Sequence, residues 1–165
     1  MPEPRKMIIF AKTTPIQMKR FLLIIASLMA LASCKGTQEV PYTVLDHYFF
    51  KNGQPLPQDP KVDTAEDFAT YFGAAAVMGE GGMPTPIDWA HEFVIAVVYP
   101  VIDIATELAP ESLIREDGEL IFTYNETVGE QQSWSMQPML LIKVDRKYEA
   151  ADVRLDRKVL TTEQF

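Results

Sequence analysis

The run FVIAVVY (Phe93–Tyr99) decides the fold of this chain. It is apolar throughout, rich in β-branched residues, and bounded by the charged Glu92 and by Pro100. A run of this length is too short for a typical helix, and a strand that is apolar on both sides must be covered on both faces. The run therefore predicts a strand in the middle of a sheet, buried on both faces.

A helix is predicted upstream of this strand, at about residues 64–73, within the segment DTAEDFATYFG (Asp63–Gly73). Asp63 or Thr64 can cap its N-terminus, acidic residues occupy its first turn, and Gly73 favours its end, although the following alanines are able to extend it. Its apolar residues have the i, i+3, i+4 spacing of one helix face, which we expect to pack on the sheet: Phe68, Tyr71 and Phe72.

Two turn signals predict hairpins. Asn52-Gly53 follows the strand-like segment Tyr42–Phe50, and prolines make the returning strand short or peripheral. Asp117-Gly118 lies between the apolar segments Leu113–Arg115 and Leu120–Tyr124. Because both residues of such pairs tolerate positive φ, each pair favours a tight turn.

Three further short strands complete the prediction, at Gln132–Met136, Met139–Val144 and Asp152–Leu155, with Pro138 separating the first two. Val101–Thr106 alternates too weakly to assign. Strands precede and follow one helix without alternating with helices, which argues against a parallel βαβ fold. We predict an α+β fold: a mainly antiparallel sheet or open barrel of six to eight strands, with the helix packed on it.

The N-terminal part of the chain has the order of a secretory signal. Lys19 and Arg20 precede the uncharged run Phe21–Ser33, whose 13 residues fall short of the roughly 20 that a membrane-spanning helix needs. Small residues then precede Cys34. Residues 1–17 are expected to reflect a start codon assigned too early, or an extended n-region.

The end of this signal, Leu31-Ala32-Ser33-Cys34, resembles the lipobox of bacterial lipoproteins. The resemblance implies cleavage between Ser33 and Cys34 and attachment of lipid to the Cys34 sulfur, the alternative being a buried core cysteine. Lys35 follows, rather than the Asp associated with inner-membrane retention, so an outer-membrane location is expected. The resulting division of the chain is residues 18–33 as signal peptide, 34–41 as lipidated tether and 42–165 as one globular domain.

Composition excludes several function classes. The chain has 165 residues and a formal net charge of −8, which becomes −12 once residues 1–33 are removed. A protein this acidic lacks the basic surface of a nucleic-acid binder. With 1 cysteine and 2 histidines it has no internal disulfide and too few ligands for a Cys/His zinc site. We therefore expect no metal, and the absence of nucleotide-binding motifs predicts no cofactor.

Catalytic residues are few, and we predict that the protein is not an enzyme. Cys34 is used by the lipid, no G-x-S-x-G elbow occurs, and the only imidazoles are His47 and His91. Acidic residues are numerous between Glu107 and Glu130, as a glycosidase pair would require, but such charge runs are typical of solvated faces.

Aromatic and methionine side chains near turns are better candidates for a binding surface. The loop 79–91 contains one tryptophan, and the segment Ser133–Met139 contains the other. A shared surface requires both to lie on one side of the sheet, and the alternative is that both tryptophans close the ends of the core. The candidate residues are Gly81, Gly82, Met83, Pro84, Asp88, Trp89, His91, Trp134 and Met136.

Four segments together resemble the PrcB-like group of small bacterial lipoproteins, which is related to a subunit of a surface protease complex. They are TAEDFATYFG (Thr64–Gly73), PIDWAHEFVIAVVYP (Pro86–Pro100), GELIFTYN (Gly118–Asn125) and SWSMQPMLLIKVDR (Ser133–Arg146). The resemblance covers about two thirds of the mature chain. It implies an anchored domain that is accessory to a secreted protease, or one whose role is unassigned.

Three functions follow as hypotheses. The first is a membrane-anchored binding or accessory module for a protein partner. The second is a carbohydrate-binding or glycan-processing lipoprotein, which would show a tryptophan-lined cleft with paired acids. The third is a structural envelope protein without a ligand site.

Overall fold

The structure, a computed structural model, describes residues 36–75, 78–79 and 81–161. The signal, the lipobox and Cys34 lie outside these residues. The described chain forms ten strands, one α-helix and a 3-10 turn at Arg146–Tyr148. The bounds are β1 Gln38–Glu39, β2 Tyr42–Val44, β3 Tyr48–Phe50, β4 Lys61–Val62, α1 Ala65–Tyr71, β5 Phe72–Ala74, β6 Glu92–Val98, β7 Ile102–Glu116, β8 Glu119–Met136, β9 Met139–Asp145 and β10 Val153–Thr161.

The strands form two four-stranded sheets and a two-stranded ribbon. The first sheet has the order β1-β7-β8-β10, the second has the order β2-β9-β6-β4, and β3 pairs with β5. Pairing is antiparallel except between β8 and β10. The predicted mainly antiparallel α+β fold with one helix is confirmed. More strands are present than the six to eight predicted because several are only two or three residues long.

The second sheet is covered on both faces, which explains why β6 is apolar throughout. One face of β6 packs with the first sheet in a core that includes Phe93, Ile95 and Phe122. The other face packs in a second core with α1 and the ribbon, through Val94 and Phe68 among others. The prediction of a central, doubly buried strand is confirmed. Each large side chain buried there contributes about 1.5–3 kcal/mol.

Helix α1 begins and ends through local chemistry. The Thr64 side chain caps it by accepting from the Asp67 amide at 3.1 Å, one of the two caps that the sequence allowed. The helix ends at Tyr71 and does not run on, because Phe72–Ala74 becomes β5 and pairs with β3. Phe68 packs in the second core as the predicted apolar face requires.

Of the two predicted hairpin turns, one is confirmed and the other is wrong. Asp117 and Gly118 have φ of 50° and 90° and close the long β7–β8 hairpin, as predicted. Gly53 has φ of 82° and lies in a turn, but Asn52 is not at positive φ and the residues after the turn do not pair with β3. The predicted Asn52-Gly53 hairpin is wrong, because β5 takes the place beside β3 and the return strand, β4, joins the second sheet.

Three strand predictions also need correction. The segment Tyr42–Phe50 is two strands, because His47 at φ 63° bends the chain between them. Residues from Ile102 onward, left unassigned, belong to the 15-residue β7. Gln132–Met136 is not separate but the end of the 18-residue β8, which Pro138 follows as expected.

The folded unit begins earlier than the predicted boundary at residue 42. Gln38 and Glu39 form β1 against β7, and Val40 is 1% exposed in the first core. The predicted tether 34–41 is therefore too long. Of the described residues of this segment, Gly36 and Thr37 precede β1, and Val40 and Pro41 connect β1 to β2.

Candidate functional site

Trp89 belongs to the core more than to the surface. Its ring lies 5.4 Å from the ring of Phe68, between centroids, and packs at the edge of the second core. Its carbonyl oxygen accepts from the Arg146 guanidinium at 2.9 Å. Because its ring is half-buried and its carbonyl is hydrogen-bonded to Arg146, Trp89 stabilises the fold.

Asp88 and His91 form an exposed polar turn beside Trp89. The Nδ1 atom of His91 lies 2.8 Å from Oδ2 of Asp88, with side chains 81% and 61% exposed. The hydrogen bond to Asp88 raises the pKa of His91, and the same bond, with one from the Ala90 amide, lowers the pKa of Asp88. The pair faces solvent, and its hydrogen bonds account for the conformation of the turn without a bound ligand.

The glycine- and proline-rich part of the loop, residues 81–85, is held by hydrogen bonds to the segment between β2 and β3 and to the start of β3. Thr85 exchanges two hydrogen bonds with the backbone of Asp46, at 3.0 and 3.2 Å, and its carbonyl accepts from the Tyr48 hydroxyl at 2.7 Å. Gly82 is buried and Pro84 half-buried, whereas Met83 is 73% exposed. Of these loop candidates, Met83 presents an apolar side chain to solvent, while Gly81 supplies the positive φ of 79°.

Trp134 lies on a different feature, the far part of the β7–β8 hairpin. We call Ile102–Glu107 together with Thr127–Met136 the distal arm. Pairing between β10 and β8 ends at Val128, so in the described chain the arm beyond it is a two-stranded ribbon. Its register shifts near Ile104 mark β-bulges. Trp134 is 62% exposed there, and Met136 is half-buried.

The two tryptophans do not share a surface. Trp89 precedes β6 at its Glu92 end, whereas β8 and β7 meet at Met136 and Ile102, just beyond the Val98 end of β6. The seven residues of β6 separate these ends by about 20 Å, at about 3.3 Å per residue. The shared site predicted from the sequence is therefore not formed, and Trp134 and Met136 are separate from the loop candidates.

The distal arm contains an open cavity of about 270 Å³. Met136 lines it, while Trp134 lies outside its lining. The Oε1 atom of Gln132, another lining residue, is buried and has no hydrogen-bond partner among the residues that the structure describes. Such an orphan acceptor is costly, by about 1–3 kcal/mol. The lining residues are Ala105, Thr106, Glu107, Thr127, Gly129, Gln132 and Met136.

A polar cluster that the sequence did not predict lies between the two sheets, near a cavity of about 230 Å³. The Tyr99 hydroxyl donates to Glu126 at 3.2 Å and lies 3.3 Å from the Tyr124 hydroxyl. Glu126 is 8% exposed and pairs with Arg157 at 3.2 Å. Burial, helped by the Tyr99 hydrogen bond, raises the pKa of Tyr124 well above its usual range.

Glu126 is the exception to the expectation that the acidic run is a solvated face, because it is buried, whereas Glu107, Glu111 and Glu130 are exposed. The sequence spacing along β8 could have indicated this burial. Phe122, Tyr124 and Glu126 are every second residue of the strand and therefore lie on one face, the face that meets the second sheet. The polar atoms satisfy one another, so the cluster is explained as an ion pair between the buried Glu126 and the half-exposed Arg157. A single buried carboxylate beside an arginine does not supply the second acid of a glycosidase pair.

Neither a metal-binding cluster nor a membrane-spanning helix occurs in the described part of the chain. No group of three or more His, Cys, Asp or Glu side chains there is placed to hold a metal ion. Within the same residues, no helix has the length and apolar character needed to cross a membrane.

Comparison with known proteins adds no family assignment. No protein-family model matches the chain, and no curated protein or solved structure is significantly similar to it. The PrcB-like resemblance and the lipobox stay predictions.

Proposed function

We propose that the protein is a lipid-anchored module of the cell envelope that binds a protein partner through its distal arm. The observation that carries the proposal is the 62% exposure of Trp134 on a two-stranded ribbon. Exposed apolar side chains that form a patch mark interaction sites, and tryptophan is enriched at the centres of protein interfaces.

Other apolar side chains of this region support the proposal. Val101 and Ile104 are also exposed, on either side of Ile102, the cross-strand partner of the half-buried Met136. A two-stranded ribbon is marginally stable by itself, and a partner that covers it would stabilise it. Because 62% of Trp134 is exposed, a partner can bury about 150 Å² of it, which contributes up to about 4 kcal/mol at about 25 cal/mol per Å².

The anchor rests on the lipobox resemblance at Leu31–Cys34. Attachment through Cys34 suits a mature chain of net charge −12, because acidic proteins are not held on anionic membranes by charge. Several acyl chains give stable anchoring, whereas one gives only marginal binding. Lys35 after the cysteine favours the outer membrane. The PrcB-like resemblance favours a secreted protease or envelope complex as partner.

A protein partner is favoured over a glycan by the position of Trp134. A glycan site needs a cleft that combines an aromatic platform with acids, and Trp134 lies outside the arm cavity. Carbohydrate binding and a purely structural role are the alternative outcomes of the experiment below.

The test uses tagged protein cross-linked in intact cells and quantitative mass spectrometry of what is purified with it. Wild type, Trp134→Ala and the matched control Met83→Ala, another exposed apolar side chain, are compared, with Cys34→Ala to detect proximity artefacts. We expect one protein in near-equal amount with wild type and Met83→Ala, and a loss of at least tenfold with Trp134→Ala. Equal recovery from all anchored variants, or no protein above the Cys34→Ala level, would overturn the proposal.

A further inference from the structure

We infer that β10 joins two copies of this chain, each β10 pairing antiparallel with its copy around a two-fold axis at Arg157. The first sheets of the two copies then form one continuous sheet. The pairing uses the side of β10 that points away from β8, which we call the outer edge. This surface is separate from the distal arm, so either site can fail without the other.

The backbone of β10 presents free hydrogen-bonding groups along the outer edge. Among the described strands, β10 is an end strand whose one neighbour is β8. The Asp152 carbonyl accepts from the Leu120 amide at 2.8 Å, and Val153 lies opposite Leu120 in the parallel register. Even-numbered residues of β10 therefore bond β8, and odd-numbered residues direct their N–H and C=O groups outward. The outward set includes Leu155, Arg157 and Val159.

The outer edge belongs to a long strand with exposed apolar side chains. β10 has nine residues and no proline. Leu155, Val159 and Leu160 are 36%, 51% and 49% exposed. Native proteins usually keep edge strands short or interrupt them, and a long edge with exposed apolar side chains is a template for pairing with another strand.

The charges of β10 do little to protect this edge, because most are neutralised by β7 and β8. The three ion pairs join Arg154 to Glu119, Arg157 to Glu126 and Lys158 to Glu111. Asp156 is exposed and makes no ion pair among the described residues. A chain this acidic repels its copies over most of its surface, so two copies approach most easily along this balanced edge.

Charge complementarity identifies a second copy as the occupant. An axis at Arg157 places Asp156 opposite the partner's Lys158, and Leu155 opposite the partner's Val159, and symmetry forms each contact twice. Opposite charges and apolar pairs that face each other across antiparallel strands are favourable. The two Arg157 side chains also face each other, but each is neutralised by its own Glu126 at 3.2 Å.

A cavity at the same edge provides space for an apolar side chain. Leu155 lines the cavity of about 230 Å³ near the buried polar cluster, together with Val98 and Tyr124. Residues directly opposite each other in a sheet lie on the same face, so the partner's Val159 lies on the cavity side of the sheet, beside Leu155. Added strands generally combine backbone hydrogen bonds with such side-chain pockets.

Self-association is measured by sedimentation equilibrium of the full chain in a density-matched detergent solution. Wild type is compared with Asp156→Lys, with Lys158→Asp and with the double exchange Asp156→Lys/Lys158→Asp, which restores the original net charge. Asp46→Lys is the matched control, because it changes the net charge equally at an exposed position between β2 and β3. Circular dichroism verifies that each variant is folded.

We expect a dimer for wild type and an increase of at least tenfold in its dissociation constant for each single reversal at β10. The double exchange should return the constant to within about threefold of wild type, because opposite charges again face each other. Asp46→Lys should bind as tightly as wild type or more tightly. A monomer up to millimolar concentration, or equal effects of Asp156→Lys and Asp46→Lys, would overturn the inference.

A second pair of variants tests the backbone bonds independently of charge. Val159→Pro removes one outward N–H while leaving the ladder with β8 intact, and Val159→Ala shortens the side chain but keeps that N–H. We expect the proline variant to lose the dimer and the alanine variant to weaken it only a few-fold. Equal dissociation constants for the two variants would contradict strand pairing through this edge.

Discussion

The Nη2 atom of Arg146 lies 2.9 Å from the carbonyl oxygen of Trp89. The same nitrogen donates to the carbonyls of Asp63, at 2.8 Å, and Glu92, at 3.0 Å. One guanidinium therefore joins the start of the helix, the candidate loop and the central strand. These contacts explain why Trp89 is part of the fold, and they give a direct test of that role.

We predict that Arg146→Ala destabilises the folded unit by about 2–4 kcal/mol, because three backbone acceptors lose a charged donor. Arg146→Lys is expected to recover only part of this, since an ammonium lacks the planar fork. Urea unfolding of residues 36–165 measures both. Lys147→Ala, which removes an exposed ion pair, is the control and should cost well under 1 kcal/mol. A small effect of Arg146→Ala would show that the carbonyls find other donors.

Gly73 and Phe49 form a second testable pair. They are cross-strand partners in the ribbon, and a Cβ added at Gly73 would lie 2.5 Å from the Phe49 ring. Gly73→Ala is expected to cost about 1–2 kcal/mol, because the ring must move away. In a Phe49→Ala background the same change should be neutral. Additive effects in this double-mutant cycle would contradict the contact.

The hairpin turn makes a third prediction. Gly118 has φ of 90°, and an alanine there should destabilise the protein by about 1–2 kcal/mol. Gly36→Ala adds a methyl group where nothing lies within 4 Å and serves as the matched control. Equal unfolding midpoints for the two variants would argue against the observed turn.

The ionisation of His91 gives a prediction about pH. We expect its pKa, measured by NMR titration, to lie above the ordinary value of about 6.5, and Asp88→Asn to return it toward that value. The raised pKa means that the contribution of His91 to stability is present below its unfolded pKa and lost as the pH rises through the folded pKa. The lowered pKa of Asp88 means that its contribution is lost as the pH falls through that value. An unchanged His91 pKa in Asp88→Asn would show that the pair is not formed in solution.

Local patterns predicted the parts of the fold that depend on local chemistry. The apolar run of β6 and the Asp117-Gly118 turn are encoded by neighbouring residues, and both were predicted. The bend at His47 was not predicted, because a positive φ at a residue other than glycine depends on distant partners. The strand around Pro110 was not predicted either, because the bulges along β7 depend on its pairing with β8.

The candidate binding surface also depends on contacts between residues that are distant in sequence. Trp134 and Trp89 both lie near turn-forming or polar residues in the sequence, so their surroundings in sequence did not distinguish them. Contacts with Phe68 and Arg146, both remote in sequence, bury part of Trp89. Among the described residues, β10 pairs with β8 only as far as Val128, and Trp134 lies beyond that point. Only the topology separates the structural tryptophan from the candidate for binding.

The most direct test of the central claim places a photo-cross-linking amino acid at position 134 of the anchored protein in living cells. Position 83, on the exposed loop, carries the same group in a matched control. We expect one discrete protein adduct from position 134 and none of that size from position 83. Adducts only to lipid at position 134, or the same adduct from both positions, would contradict a partner site on the distal arm.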